Sequence, residues 1–333
     1  MTLLKIDSLS VSFTNYQGTS SVLDRVSLNI GRGEILGLVG ESGCGKSVTA
    51  RAILQLIPQP PGNITQGTLL FKDEDLLKAS PGRMRQIRGN EISMIFQEPM
   101  SSLNPVFTIG NQMREVVLIH RRLKRRDADA MCVDMLHQVQ MPDPEAVLGK
   151  YPHELSGGMR QRVMIDMELV CAPEFLIADE PTTALDVTIQ GQVLAILTTL
   201  SRERNISVLM ITHDMGVVAQ VCDRVAVMYA GQVVEMAPVR ELFASPMHPY
   251  TRGLIASIPN MDENGSLYSI PGTVPALINP PPGCRFHPRC TARVDACDRR
   301  SPELRSITPE HQVACHGVPA AGQNGEVMSD TGC

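Results

Sequence analysis

The sequence predicts an α/β protein built on a parallel sheet, with a small antiparallel β region before it, a helical subdomain inserted into it and a loop-rich, cysteine-containing C-terminal extension after it. Three observations lead there. An apolar run, Ile35-Leu36-Gly37-Leu38-Val39, passes directly into Gly40-Glu41-Ser42-Gly43-Cys44-Gly45-Lys46-Ser47, which fits a strand turning through a phosphate loop into a helix. A second apolar run, Phe175-Leu176-Ile177-Ala178, ends in Asp179-Glu180, the pattern of a buried parallel strand with acids at its C-terminal edge. From about Ser156 onward the order reads helix, strand (175–179), helix (188–203), strand (Ser207 to Ile211), helix, strand (Arg224 to Tyr229), which implies parallel strands joined by right-handed crossovers.

Taken in order, Leu9 to Phe13 alternates as a strand, and Ser27-Leu28-Asn29-Ile30 before Gly31-Arg32-Gly33 reads as a strand and turn. These form the antiparallel region. The cluster Pro58-Gln59-Pro60-Pro61-Gly62 ends the helix that follows Lys46, and Thr68-Leu69-Leu70-Phe71 is another short strand. Residues from about Thr108 to Lys150 carry helical spacing, with Met113, Val116 and Val117 first and Met131, Met135 and Leu136 later, so this stretch is a helical insertion. Beyond about Met236 the chain becomes proline-rich and loop-like, with Pro259, Pro271, Pro275 and Pro280-Pro281-Pro282.

Composition narrows the classes. The chain has 333 residues, enough for about two domains, and 43 % hydrophobic residues, enough for a core. A net charge of −5 and a pI near 5.9 give no global pull toward nucleic acid. The basic run Arg121-Arg122-Leu123-Lys124-Arg125-Arg126 lacks interleaved aromatics and reads as a solvated helix face rather than a nucleic-acid site. Met1 to Asp7 has no signal-peptide apolar region and no run of 18 apolar residues occurs, so a cytosolic chain is expected. Nine cysteines in such a chain argue for thiols or metal ligation rather than disulfides.

The chemistry follows from residue types at these turns. Glycines at 40, 43 and 45 let backbone N–H groups surround phosphate oxygens, Lys46 would hold the β- and γ-phosphates, and Ser47 a Mg²⁺ ion. Asp179 at a strand end can reach the Mg²⁺ shell, while Glu180, one residue on, can polarise an attacking water. Ser156 suits a helix N-cap, and Gly157-Gly158 exposes N–H groups at that helix N-terminus.

With Leu155-Ser156-Gly157-Gly158-Met159-Arg160-Gln161-Arg162 between the two nucleotide motifs, the chain resembles the ATP-binding-cassette (ABC) ATPases, P-loop NTPases with a RecA-like sheet. The resemblance implies that this segment contacts the γ-phosphate of ATP held by an opposite subunit. It further implies an adenine-stacking role for Phe13, with Tyr16 a competitor, a Q-loop at Gln97, which would also reach Mg²⁺, a D-loop at Ala184-Leu185-Asp186, and a switch histidine at His213 beside Glu180. Catalysis is thereby expected from Glu180, His213 and Gln97. ATP binding is expected from Gly40, Ser42, Gly43, Cys44, Gly45, Lys46, Ser47 and Val48, with Asp179, Asp186 and the Ser156-Gly157-Gly158 segment.

Met100-Ser101-Ser102-Leu103-Asn104-Pro105, Tyr151-Pro152-His153-Glu154-Leu155 and His248-Pro249-Tyr250-Thr251 narrow the resemblance to the dipeptide/oligopeptide/nickel importer ATPases. That implies a cassette over 1–236 (helical subdomain about 108–165), an extension over 237–316 and a disordered tail over 317–333. The expected function is ATP hydrolysis powering peptide import, with import of nickel or another non-peptide solute, or a soluble non-transport ABC ATPase, as alternatives. The implied partners are a second, non-identical cassette, two transmembrane permease subunits and an extracytoplasmic solute-binding protein, at the cytoplasmic face of the inner membrane. One departure from the family is the acid pair Asp166 and Glu168 after the signature, where small apolar residues are usual. Solvation, with Arg162 pairing Asp166 at i, i+4, is expected, and burial would destabilise the helix.

Cys284, Cys290, Cys297 and Cys315 crowd into the extension with spacings that fit neither the usual paired zinc motifs nor the ferredoxin patterns, so spacing leaves the metal open. The family resemblance implies a [4Fe–4S] cluster on these four, with zinc as the alternative.

Overall fold

The computed structural model describes residues 1–96, 103–182, 187–258 and 268–319. Its strands, in chain order, are β1 (Thr2–Asn15), β2 (Gly18–Gly31), β3 (Ile35–Val39), β4 (Gly62–Phe71), β5 (Glu74–Asp75), β6 (Ile92–Ile95), β7 (Phe175–Asp179), β8 (Ser207–Thr212), β9 (Arg224–Tyr229), β10 (Gln232–Pro238), β11 (Arg305–Ser306) and β12 (Gln312–Val313). One sheet has the order β2-β1-β4-β5 and is antiparallel. The other runs β11-β12-β10-β9-β3-β8-β7-β6. Within it β9, β3, β8, β7 and β6 are mutually parallel, and β10 to β12 are antiparallel additions at one edge.

The first two strands are longer than the sequence pattern indicates. Ser8 and Arg25 adopt positive φ (53° and 52°), and the β1–β2 register shifts between Ile6 and Leu9 and again before Val11. Such irregularities break period-2 alternation and hide the outer parts of both strands from a pattern reading.

The parallel strands feed two cores by strict alternation. Leu36, Leu38, Leu209, Ile211, Phe175 and Ile177 pack toward the antiparallel sheet and helix Lys46–Ile53, whereas Ile35, Val208, Met210, Leu176 and Ala178 pack toward the helical side. That helical side is the insertion, comprising helices Ile109–His120, Arg125–Gln138 and Pro144–Gly149, followed by Gly157–Leu169.

In the last of these helices the expectation for Asp166 is corrected. Its side chain is fully buried and neither carboxylate oxygen has a hydrogen-bond partner, while Arg162 donates instead to the carbonyls of Val139 and Gln140 and to Gln192. Helical phase explains it, because Val163, Met164 and Ile165 are buried beside it and the packed stripe is wide enough to include position 166. Desolvation holds the Asp166 carboxyl well above the carboxylate range. Glu168 is half-buried, accepts from the Met94 N–H of β6 (3.3 Å), and is pushed up to about 7 by desolvation.

The segment after β10 opens with helices Val239–Ala244 and Pro249–Ala256 rather than with loop, and later returns to the main sheet, where Val313 and Gln312 of β12 pair with Glu235 and Met236 of β10. A third core joins it to β9 through the rings of Tyr229, Tyr250 and Phe286, whose centroids lie 4.6 to 5.4 Å apart. A buried polar clasp completes the junction. His311 sets Nε2 2.7 Å from Glu235 of β10 and Nδ1 3.0 Å from Glu241, and Glu235 also accepts the N–H groups of Met247 and His248. Every polar atom named in the clasp is thereby partnered, as full burial of His311 and Glu235 demands.

Candidate nucleotide site

The C-terminal ends of β3, β8 and β7 are adjacent in the parallel sheet, so the residues that follow them meet along one edge. After β3 the backbone turns at Gly40 (φ 151°), where a Cβ would lie 2.1 Å from the carbonyl oxygen of Met228. The loop closes at Gly45 (φ 108°), which caps helix Lys46–Ile53, where a Cβ would meet Leu23 at 2.7 Å. Both close approaches explain the glycine requirement that the motif shows in sequence. Lys46 is buried, and its Nζ donates to the carbonyls of Gly40 (2.6 Å) and Glu41 (3.1 Å), so the ammonium is drawn into the ring of the loop.

Ser47 Oγ donates to Asp179 Oδ1 at 3.1 Å, joining the loop helix to the end of β7. Burial pushes the Asp179 carboxyl up and the neighbouring Glu180 adds to this, while the Ser47 hydroxyl pulls it down. Two hard oxygen donors beside a loop lysine suit Mg²⁺, and a bound cation would offset the desolvation of Asp179. Glu180 has φ 49°, a conformation rare outside glycine, and its N–H donates to the carbonyl of Ile211 (2.9 Å) in β8. That bond turns its side chain toward the residue following β8. His213 Nδ1 lies 3.2 Å from Glu180 Oε1, with the imidazole 62 % exposed and the carboxylate 12 % exposed.

The loop and Glu180 border a cavity of about 370 Å³. Ser42, Gly43, Gly45, Lys46, Ser47 and Val48 line it from the loop and its helix, Glu180 from the turn after β7, and Val22 and Leu277 from the antiparallel sheet and the C-terminal extension. Cys44 is buried behind the loop, and burial raises its thiol.

Phe13 packs against the core of the antiparallel sheet, and its ring would stand 3.0 Å from a Cβ at Gly62. Tyr16 is 95 % exposed. Beside Val48, the apolar side chains at the cavity itself are Val22 and Leu277, and nothing in their local sequence marks them, because the chain folds back on itself to bring them there. Ser21 N–H donates to the Leu277 carbonyl (2.9 Å), which fixes that approach. Gln97 and Ala184-Leu185-Asp186 lie outside the described residues, as do Met100-Ser101-Ser102.

Ser156 caps helix Gly157–Leu169 by accepting the Met159 N–H (3.3 Å), and Ser156 and Gly157 are exposed, with open space where a Gly157 Cβ would be. The signature is thus presented outward.

In the extension, three of the four cysteine thiols are raised. Cys284 is pushed up to about 11 by burial, with Cys297, Cys315 and Cys290 adding to the shift, and Cys290 and Cys315 are raised for the same reasons. Backbone N–H groups point at the sulfurs, from Phe286 to Cys284, Ala292 to Cys290, Gly317 and Val318 to Cys315, and Val294 to Cys297 (3.5 Å). The expected formed metal cage is nonetheless not present in the side chains as they stand. Among the described residues, no group of three or more His, Cys, Asp or Glu is arranged to hold a metal ion, and all four cysteines are free. At Cys284, Cys290 and Cys315 burial favours the neutral thiol, whereas a metal takes the thiolate.

Comparison with known proteins agrees with this arrangement. The family described as ABC transporter matches residues 23–183, and the family described as oligopeptide/dipeptide transporter, C-terminal region, matches residues 234–297. The dipeptide transport ATP-binding protein DppD of Bacillus subtilis (strain 168) is 49 % identical over 314 residues, 94 % of this chain and 94 % of that one. The oligopeptide transport ATP-binding protein OppD of the same organism is 47 % identical over 313 residues, 93 % of this chain and 87 % of that one. Among solved structures, the dimeric structure of MJ0796, a bacterial ABC transporter cassette, superimposes with a TM-score of 0.64 at 25 % identity, covering 71 % of this chain and 99 % of that one.

Proposed function

This chain belongs to the ABC transporter family, and we propose that it is the ATP-hydrolysing subunit that powers a membrane importer of dipeptides or oligopeptides. The observation that carries the reading is that Ser47, bonded to Asp179, and Glu180, bonded to His213, line one phosphate-loop cavity. Relatives matching over 94 % of the chain, among them the dipeptide transporter subunit, point to the solute class.

In this mechanism Lys46 and the loop N–H groups hold the β- and γ-phosphates, and Ser47 and Asp179, with Gln97, would hold Mg²⁺. The ion, when bound, neutralises charge that develops on the phosphoryl oxygens. Glu180 orients a water against the γ-phosphorus, the bond from that phosphorus to the bridging oxygen breaks, and ADP and phosphate result. His213 steadies Glu180 through their hydrogen bond. Because Ser156 and Gly157 face outward, the signature serves an ATP held by another cassette, and the catalytic unit is a dimer, with a non-identical partner.

Leu118 and Ile119 on the helical insertion, and Val106 and Phe107 just before it, are exposed, Ile119 by 69 %, which supports docking of two permease subunits there. No helix among the described residues is long and apolar enough to cross a membrane, so the chain would sit at the cytoplasmic face of the inner membrane through these partners, with an extracytoplasmic binding protein delivering solute. Glu180→Gln is the test. Turnover by the assembled complex should fall at least ~100-fold while ATP binding persists; wild-type turnover in this variant would end the assignment.

For the extension, the finer reading is that Cys284, Cys290, Cys297 and Cys315 hold a [4Fe–4S] cluster, with zinc as the alternative. It is supported by four thiols within each other's electrostatic reach and by the N–H groups aimed at them, a donor set that stabilises thiolates. Anaerobically purified protein should contain about four irons per chain, and full metal retention in Cys297→Ser would overturn the ligand set.

A further inference from the structure

We propose that Arg289 of the C-terminal extension neutralises Glu41 of the phosphate loop and thereby sets how tightly the nucleotide phosphates are held. The inference rests on reading Gly40 to Ser47 as the nucleotide loop and assigns a positioning role outside it. Glu41 stands between Gly40 and Ser42, so the loop carries a carboxylate next to the place where a polyanion binds. Left unpaired, that charge would oppose the phosphates.

Arg289 meets it fork to fork, Nη1 to Oε2 at 2.7 Å and Nη2 to Oε1 at 3.0 Å. The arginine side chain is 6 % exposed and the glutamate 28 % exposed, so solvent screens the pair only in part. The guanidinium is itself fixed. Its Nε donates to the Pro271 carbonyl (2.7 Å) and Nη2 to that of Ile270 (3.2 Å), and it lies 5.8 and 6.0 Å from the ring centroids of Tyr229 and Phe286. Tyr250, also beyond β10, accepts the backbone N–H of Glu41 at 2.9 Å, so the extension grips both the side chain and the backbone of this one loop residue. Lys46 touches the Glu41 carbonyl and leaves the carboxylate to Arg289.

The pair spans 248 positions in sequence, and the loop motif allows any residue at 41. Electrostatic compensation is therefore the distinguishing expectation. Removing the cation should harm binding only while the carboxylate remains.

The test uses the full-length chain, with a fluorescent ATP analogue and Mg²⁺ as the probe, alongside KM and kcat for the assembled importer. Arg289→Ala should raise Kd about tenfold and KM with it, with kcat changed less than about twofold. Glu41→Gln should bind no more weakly than the parent, and Glu41→Gln with Arg289→Ala should recover most of the loss. Thermal melting without nucleotide reports folding, and Arg289→Lys, which keeps the charge and loses the fork, replaces the alanine variant if that does not fold; it should fall between parent and alanine.

Unchanged Kd in Arg289→Ala overturns the proposal, as does a double variant as weak as Arg289→Ala alone. A loss of kcat at constant KM overturns it too. Lys46→Ala separates the premises, because lost binding there with unchanged binding in Arg289→Ala removes this inference alone, whereas retained binding in Lys46→Ala removes the nucleotide site itself.

Discussion

At the phosphate-loop edge, Lys46, Ser47, Glu180 and His213 follow within eight residues of the ends of β3, β7 and β8, and Asp179 is itself the last residue of β7. In the extension, Cys284, Cys290, Cys297 and Cys315 are carried by turns, one short helical turn at His287–Arg289 and two strands of two residues each. Long backbone ladders place the first set; the second shares only the short β12–β10 pairing and the ring cluster at Tyr229, Tyr250 and Phe286, and otherwise depends on side chains that reach across the molecule. Arg285 donates to the Ala230 carbonyl and to Asp24, Arg289 to Glu41, and His311 meets Glu235 and Glu241. A site held by strand ends tolerates loss of one side chain without moving, whereas a segment held by a few polar anchors should loosen when one is cut.

The largest expected effect breaks the second region. His311→Ala leaves Glu235 buried without its imidazole partner, and removing one member of a buried pair costs about 3–5 kcal/mol. Hydrogen exchange should rise across 284–316 and stay unchanged along β3 and β8; uniform protection would show that the extension does not depend on the clasp.

A smaller effect sharpens the first region. His213 is mostly exposed, so His213→Ala should lower turnover by about 10- to 100-fold through Glu180 while shifting stability by less than about 0.5 kcal/mol. A large fall in melting temperature would mean that the histidine holds the edge rather than serving the chemistry.

The smallest effect concerns Asp166, on the helix between the two regions. Its folded carboxyl is held above its unfolded range by desolvation, so the folded state keeps a proton that the unfolded state has lost, and stability declines as pH rises from about 4 toward the folded value. Asp166→Asn, which imitates the neutral acid, should stabilise the chain by at least about 1 kcal/mol at pH 8 and by little at pH 4 in chemical denaturation. An equal effect at both pH values would place the acid in water.

Periodicity and turn chemistry were enough to read the parallel strands, the loop at Gly40 to Ser47 and the acids at 179 and 180, because each is specified within a few residues of its own strand, whereas the histidine at 213 was marked by the family resemblance. Those signals are local, and local backbone sterics enforce them. The bulges that extend β1 and β2, the burial of Asp166, the approach of Leu277 to the cavity and that of Arg289 to Glu41 involve no such local rule. They follow from which surfaces meet once the chain has folded back over hundreds of positions, and only the tertiary packing, with the desolvation and charge pairing that it imposes, decides them.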